Sequence, residues 1–214
     1  MELTTEILRA EAARFAALES QHPEPSLFGV TDGKTVGTYL KHKFRSFFRG
    51  QGYQFEEDNS ANGIDFPGLL VDMKVISTDR SQSSCPFKSP RQKVYGLGYS
   101  LIIFVYDKTD DEVAHAVNLI IANTIFVAAE RTADFKMTKG IRNILENEGN
   151  QDDVVAFLSD SYLLQDEEQL DSLAKELVKH KPEQGYLNMP RQLDCWSHFN
   201  HTLTNNRLIG AVSL

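Results

Sequence analysis

Apolar residues at the start of the chain recur at helical spacing. Leu8, Phe15 and Leu18 mark one face of an Ala- and Glu-rich helix from Glu2 to Gln21, started by Thr4 or Thr5 and broken by His22-Pro-Glu-Pro. A second helix is predicted from Thr35 to Arg49. Its apolar face holds Val36, Tyr39, Leu40, Phe44, Phe47 and Phe48, and Gly50 and Gly52 end it. The pattern then turns strand-like. Tyr53 to Glu56 and Leu69 to Ser77 read as strands around a turn from Asn59 to Gly68. Gly98 to Tyr106 is a continuous apolar run and reads as a buried strand. Val113 to Ala128 is β-branched and apolar, giving one or two strands, with a buried helix open for part of it.

Between these strands, Asp79 to Lys93 is polar, and Arg91 to Tyr95 starts a short helix before Gly96. After Arg131 the spacing is helical again at Ala133 to Glu146, Asp152 to Leu158, Glu167 to Lys179 and Pro190 to Leu203. Arg207 to Leu214 reads as a last short strand. The predicted fold is α/β, a mixed central β-sheet flanked by helices with a helical C-terminal part. Residues 1–130 carry the N-terminal helices and the sheet. Residues 131–214 form a mainly helical part, packed on that core as one domain, with Pro182-Glu-Gln-Gly185 separating its last two helices.

Composition narrows the class. A chain of 214 residues with 41% hydrophobic and 24% charged residues has the make-up of an ordinary globular protein and can bury a sizeable core. No apolar run approaches membrane-spanning length, and the N-terminus lacks the basic start and apolar stretch of a signal peptide. Cys85 and Cys195 have no metal-ligand spacing. These features predict a cytoplasmic protein in a reduced compartment, without a membrane role.

The stretch Gly63 to Ile76 carries the chemistry. Asp65 and Asp72 are followed by Lys74, the last two on an apolar strand. Strand side chains alternate, so Asp72 and Lys74 project with Leu70 and Ile76, while Leu69, Val71, Met73 and Val75 face the core. Burying an acid and a lysine there costs several kcal/mol unless they pair or bind something. Two carboxylates suit a hard divalent ion such as Mg²⁺, with water and phosphate oxygens completing the shell. The other reading makes Asp65 a turn cap before Pro67, and Asp72 with Lys74 an ion pair. Acid-x-Lys also occurs at Asp32-Gly-Lys34, in a turn, and at Asp134-Phe-Lys136, opening a helix. Only Asp72-Met-Lys74 lies in a strand with a second acid before it.

This arrangement, Asp65 followed by Asp72-Met-Lys74, resembles the signature of the PD-(D/E)xK nucleases, and in particular of type II restriction endonucleases. The resemblance extends to Asp32 through Leu40, to Ser89-Pro-Arg-Gln-Lys and to the strand Tyr99 to Tyr106. It implies a nuclease core in residues 1–130 and Mg²⁺-dependent cleavage of double-stranded DNA, with Mn²⁺ as a substitute. Asp65 and Asp72 would hold the metal, and Lys74 would serve water and phosphate. The products would carry 5′-phosphate and 3′-hydroxyl ends. A homodimer and a cognate DNA methyltransferase follow as expected partners. Two positions depart from the family pattern: Lys41 stands near where many relatives carry a helix glutamate, and Ile64 replaces the usual proline. Glu56, Glu57 and Asp58 are candidates for a third carboxylate, or a solvated turn. A mismatch-nicking or junction-resolving nuclease of the same fold, or a non-catalytic DNA-binding or interaction module, are the alternatives.

Charge adds one point. The net charge is −8, yet residues 33–55 and 80–106 contain no acid. Lys41, Lys43, Arg45, Arg80, Gln82, Lys88, Arg91 and Lys93 lie in these stretches and are candidates to contact phosphates or base edges. Asp194, His198 and His201 have helical spacing but no firm third metal ligand, and read as surface or interface. No phosphate-binding glycine loop, serine-nucleophile elbow or zinc cysteine set is present.

Overall fold

Helices form where the apolar period and a capping side chain agree. The computed structural model describes residues 1–56, 63–79, 87–161 and 166–187 and the strand at 211–213. Helix α1 spans Thr5–Glu19, with the Thr4 hydroxyl accepting the Ile7 N–H. It buries Leu8, Ala12, Phe15 and Ala16. Helix α2 spans Gly33–Gly50, and the Asp32 carboxylate accepts the N–H groups of Lys34 and Thr35. Asp32 is therefore a helix cap. Val36, Leu40, Phe44 and Phe48 are buried on α2, whereas Tyr39 and Phe47 are half-buried.

Among the described residues the sheet has five strands: β1 (Pro23–Glu24), β2 (Val71–Ser77), β3 (Ser100–Asp111), β4 (Ala116–Val127) and β5 (Ala211–Ser213). Its order is β1-β4-β3-β2, and β5 pairs with β4. β2 runs parallel to β3, while β4 is antiparallel to β3, β1 and β5. The fold is thus α/β with a mixed sheet. The β3–β4 hairpin turns at Asp111, whose Oδ1 accepts the N–H groups of Val113 and Ala114 at 2.9 Å. Such side-chain capping is the usual service of an aspartate in a turn.

The chain forms two compact units. The first comprises Met1–Ser83, Ser100–Val127 and Thr202–Leu214. Within it Phe15, Phe44, Phe48, Phe66 and Phe104 form a cluster of rings in tilted and edge-to-face contact. This geometry is the favoured one for aromatic quadrupoles.

The second unit comprises Ser84–Tyr99 and Ala128–His201. Its helices are α3 (Pro90–Tyr95), α4 (Phe135–Glu146), α5 (Gln151–Asp160) and α6 (Glu167–Lys179). Ser89, Asp134, Asn150 and Asp166 cap them in turn. Their apolar faces meet in a core of Val94, Met137, Ile141, Val154, Leu158, Leu170, Leu173, Ala174 and Leu177. Gly96 ends α3 with φ 94°, where a Cβ would come within 2.7 Å of the Ala129 carbonyl oxygen. Only glycine fits there.

Three expectations need correction. Leu18 does not share the buried face of α1 with Leu8 and Phe15 but is exposed. Tyr53 to Glu56 is no strand: Gln54 alone bridges to Glu2. The aromatic residues that suggested it are drawn into ring packing, Tyr53 and Phe55 against Phe48, and Phe55 also against Phe66. Leu70 does not share a strand face with Asp72 and Lys74. It ends a 3-10 turn, Pro67–Leu69, with φ 51°, and is 56% exposed, so the strand begins at Val71. The helix expected at Pro190 to Leu203, both cysteines, Asp194, His198 and His201 lie outside the described residues. No helix among the described residues is long and apolar enough to cross a membrane.

Candidate active site

Asp65 occupies a bend that a buried aromatic ring holds in place. Its neighbour Phe66 is 1% exposed and packs against Phe44, Phe48 and Phe55 with centroids 5.9, 6.2 and 5.5 Å apart. The 3-10 turn after it is closed by two backbone hydrogen bonds, Phe66 N–H to Val71 O at 2.9 Å and Val71 N–H to Phe66 O at 3.2 Å. The closure returns Asp65 to the side of β2, where its Oδ2 accepts the Met73 N–H at 3.0 Å. β2 presents Asp72 and Lys74 itself, in parallel register with Leu101 and Ile103 of β3.

Both acids are buried, Asp65 at 4% and Asp72 at 2% exposure. Lys74 Nζ lies 2.9 Å from Asp72 Oδ2. Helix α2 adds two more cations. Lys41 Nζ is 2.5 Å from Asp65 Oδ2 and 3.9 Å from Asp72 Oδ1, and Arg45 donates to Asp65 Oδ1. Four residues apart on a helix, Lys41 and Arg45 share one face. Asp72 Oδ1 is buried and accepts no hydrogen bond.

The two acids titrate in opposite directions. Burial acts to raise the Asp65 carboxyl, but the Asp72 carboxyl beside it, the Lys41 ammonium and the Met73 N–H together hold it below the ordinary aspartate range. For Asp72, burial pushes the carboxyl up and the neighbouring Asp65 adds to the shift, against the pull of Lys74 and Lys41. Two adjacent carboxyls resist ionising together unless a proton or a cation lies between them.

That requirement, with an orphaned buried oxygen on Asp72, fits a hard cation with two protein carboxylates in its shell. The described residues hold no group of three or more His, Cys, Asp or Glu side chains arranged for a metal. Glu56 is exposed, and Glu57 and Asp58 lie outside the described residues.

The other candidates divide between the units. Lys41 and Arg45 point at Asp65, whereas Lys43 stands 3.8 Å from Glu24 and over the Tyr39 ring. In the second unit Lys88 is exposed, Lys93 is half-buried, and Arg91 pairs with Glu176 and stacks on Tyr95. Arg80 and Gln82 lie outside the described residues. Sequence reasoning set Lys41 and Arg45 apart as cations of a DNA surface and missed their contact with Asp65. Their i, i+4 spacing beside the buried Leu40 and Phe44 was the available signal.

A mixed sheet with two buried acids and a strand lysine has the features of a type II restriction enzyme, the class the sequence resembles. The match is direct: the family described as Type II restriction enzyme NspV covers residues 2–212, and the chain belongs to that family. Type II restriction enzyme NspV of Nostoc sp. (strain ATCC 29411 / PCC 7524) is 59% identical over 191 residues, covering 89% of this chain and 86% of that protein. No solved structure matches the chain.

Proposed function

We propose that this chain is a Mg²⁺-dependent endonuclease that cuts double-stranded DNA at a specific sequence with Asp65, Asp72 and Lys74. The observation that carries the reading is the buried acid pair, in which Asp72 Oδ1 has no donor, in a member of a restriction enzyme family. Asp65 and Asp72 would hold Mg²⁺ or, in its place, Mn²⁺. When bound, the ion would polarise the phosphodiester and lower the pKa of a nearby water.

The chain's own groups do the positioning. The Met73 N–H and Arg45 aim Asp65. Lys74, held against Asp72, hydrogen-bonds the attacking water and the phosphate. The water oxygen bonds to phosphorus in line with the O3′ that leaves, and one proton passes from the water to solvent while O3′ gains another. The ends are then 5′-phosphate and 3′-hydroxyl. Charge builds on the phosphate oxygens, where a fixed ammonium is most effective.

Cutting both strands of a two-fold symmetric site calls for a two-fold dimer. We assign dimerisation or target recognition to residues 131–214, and contacts to phosphates or bases to Lys43, Arg80, Gln82, Lys88, Arg91 and Lys93. A cognate DNA methyltransferase in the same cytoplasm would protect host DNA.

The test is digestion of methylated and unmethylated phage-length DNA with Mg²⁺, beside EDTA and Lys74→Ala controls. Discrete bands that disappear in both controls are expected, and sequencing their ends gives the site and the cut. Full activity in Lys74→Ala or in EDTA would overturn the reading.

A further inference from the structure

The seat between the two acids already holds a side chain. Asp65 has both oxygens engaged, Oδ1 by Arg45 and Oδ2 by the Met73 N–H and Lys41. Asp72 gives Oδ2 to Lys74 and leaves Oδ1 without a donor. The Lys41 ammonium, 2.5 Å from Asp65 Oδ2 and 3.9 Å from Asp72 Oδ1, stands between the two oxygens that a cation bridging both acids would need.

Resting on the metal site proposed above, we infer that Lys41 is a displaceable internal cation that competes with the divalent ion for the Asp65–Asp72 seat. Lys41, Arg45 and Lys74 already outnumber the two acids they touch. A divalent ion therefore enters only if one of them withdraws. Arg45 is the wrong one, since its side chain is 16% exposed and it grips the outer oxygen of Asp65. Lys74 engages the far oxygen of Asp72. Lys41, on a flexible stem, touches Asp65 and reaches towards Asp72, so it stands where a bridging ion would enter. The Lys41 end of this pair reaches water while the Asp65 end is buried, so the lysine can withdraw only as another cation takes its place on the acid.

The displaced ammonium needs a new anion, because it would otherwise face the entering ion. A DNA phosphate supplies one. Lys41 thereby links metal loading to DNA: the free protein binds metal poorly, and the complex binds it well.

Isothermal titration of Mn²⁺ into EDTA-stripped, DNA-free protein tests the competition. Lys41→Met is expected to bind Mn²⁺ about tenfold more tightly than wild type, a change equivalent to about 1.4 kcal/mol. Lys41→Arg should bind no more tightly than wild type, and Lys136→Met, on an exposed position of α4, should not differ from it. Equal or weaker binding by Lys41→Met, with binding still measured, overturns the inference alone, whereas an absence of binding in both wild type and Lys41→Met overturns the metal site and the inference with it. The metal site also fails if binding survives in Asp65→Asn and Asp72→Asn. Should Lys41→Met not fold, wild type still decides the matter. Acylation of Lys41, mapped by mass spectrometry against Lys136, should rise several-fold when Mn²⁺ is added, and unchanged labelling overturns the inference.

Discussion

The Met73 N–H donates to Asp65 Oδ2 at 3.0 Å, tying the acid before the turn to the strand that carries the acid after it. One backbone bond thus fixes the spacing of the pair. The reason it forms is local: Phe66 is locked among rings of the core, and the turn Pro67–Leu69 brings the chain back at Val71. A loop of this kind positions a carboxylate as firmly as a strand would. It also explains how acids seven positions apart in sequence act as one site.

Arg45 completes that positioning from the other side, and its removal should be felt in the rate. Arg45→Met leaves Asp65 Oδ1 without its partner, while Lys41 and Met73 still engage Oδ2. Partners that orient a metal-binding group typically contribute 10- to 100-fold to affinity or activity. Single-turnover cleavage should therefore fall by about that factor, with Arg45→Lys recovering part of it. Thermal unfolding should show a loss of about 2 kcal/mol, in the range for a hydrogen bond to a charged group. A wild-type rate in Arg45→Met would show that Asp65 needs no support from Arg45.

A second, partly buried network holds α2 at Tyr39, two residues before Lys41. The Tyr39 hydroxyl lies 2.6 Å from Glu19 Oε1 and 2.8 Å from Glu24 Oε2. Burial acts to raise the Glu24 carboxyl, but Ser26, Tyr39 and Lys43 outweigh it and bring it to about 2. A carboxyl lowered on folding stabilises the protein above its unfolded value, near 4.5 here, and that contribution is lost as pH falls through about 2. Tyr39→Phe removes the single O–H that Glu24 and the buried Glu19 share, so a loss of about 1–3 kcal/mol is expected at pH 7. The gap from wild type should narrow as pH falls from 4.5 towards 2. Thermal unfolding across that range reads it, and a constant gap would dissociate the network from Glu24.

What was legible in the sequence is what local chemistry encodes. Thr4 and Asp134 announce helix starts because a short polar side chain beside an apolar period has few other uses, whereas Asp32, read as a turn residue, proves to be the cap of α2. The nearness of Asp72 to Lys74 follows from strand alternation alone. Tyr53 to Glu56 misled because strand propensity reflects aromatic packing, and here Tyr53 and Phe55 satisfy it against Phe48 without a partner strand. The meeting of Lys41 and Arg45 with Asp65 was hidden for a different reason. The i, i+4 spacing of the two cations places them on one face of α2, but that this face meets Asp65 depends on how α2 packs beside β2, a tertiary relation.

Asp72 should show the cost of the site most directly. Its carboxyl is raised on folding, so the folded chain binds that proton more tightly than the unfolded one. The resulting stabilisation is present in full below the unfolded value of about 3.8 and is lost as pH rises through the raised folded value. Ionised and without metal, Asp72 is an acid in a buried place, with one oxygen lacking a donor. Asn keeps the shape and removes the charge. In EDTA at pH 7, Asp72→Asn should be inactive yet melt about 2–4 °C higher, corresponding to about 1 kcal/mol in a chain of this size. At a pH below 3.8 the two proteins should melt together, because Asp72 is then neutral in both states. Mg²⁺ in large excess should raise the melting temperature of wild type and leave the variant unmoved. A lower melting temperature for Asp72→Asn at pH 7 would mean that the ion pair with Lys74 outweighs burial, and that the acid stabilises the fold it was expected to strain.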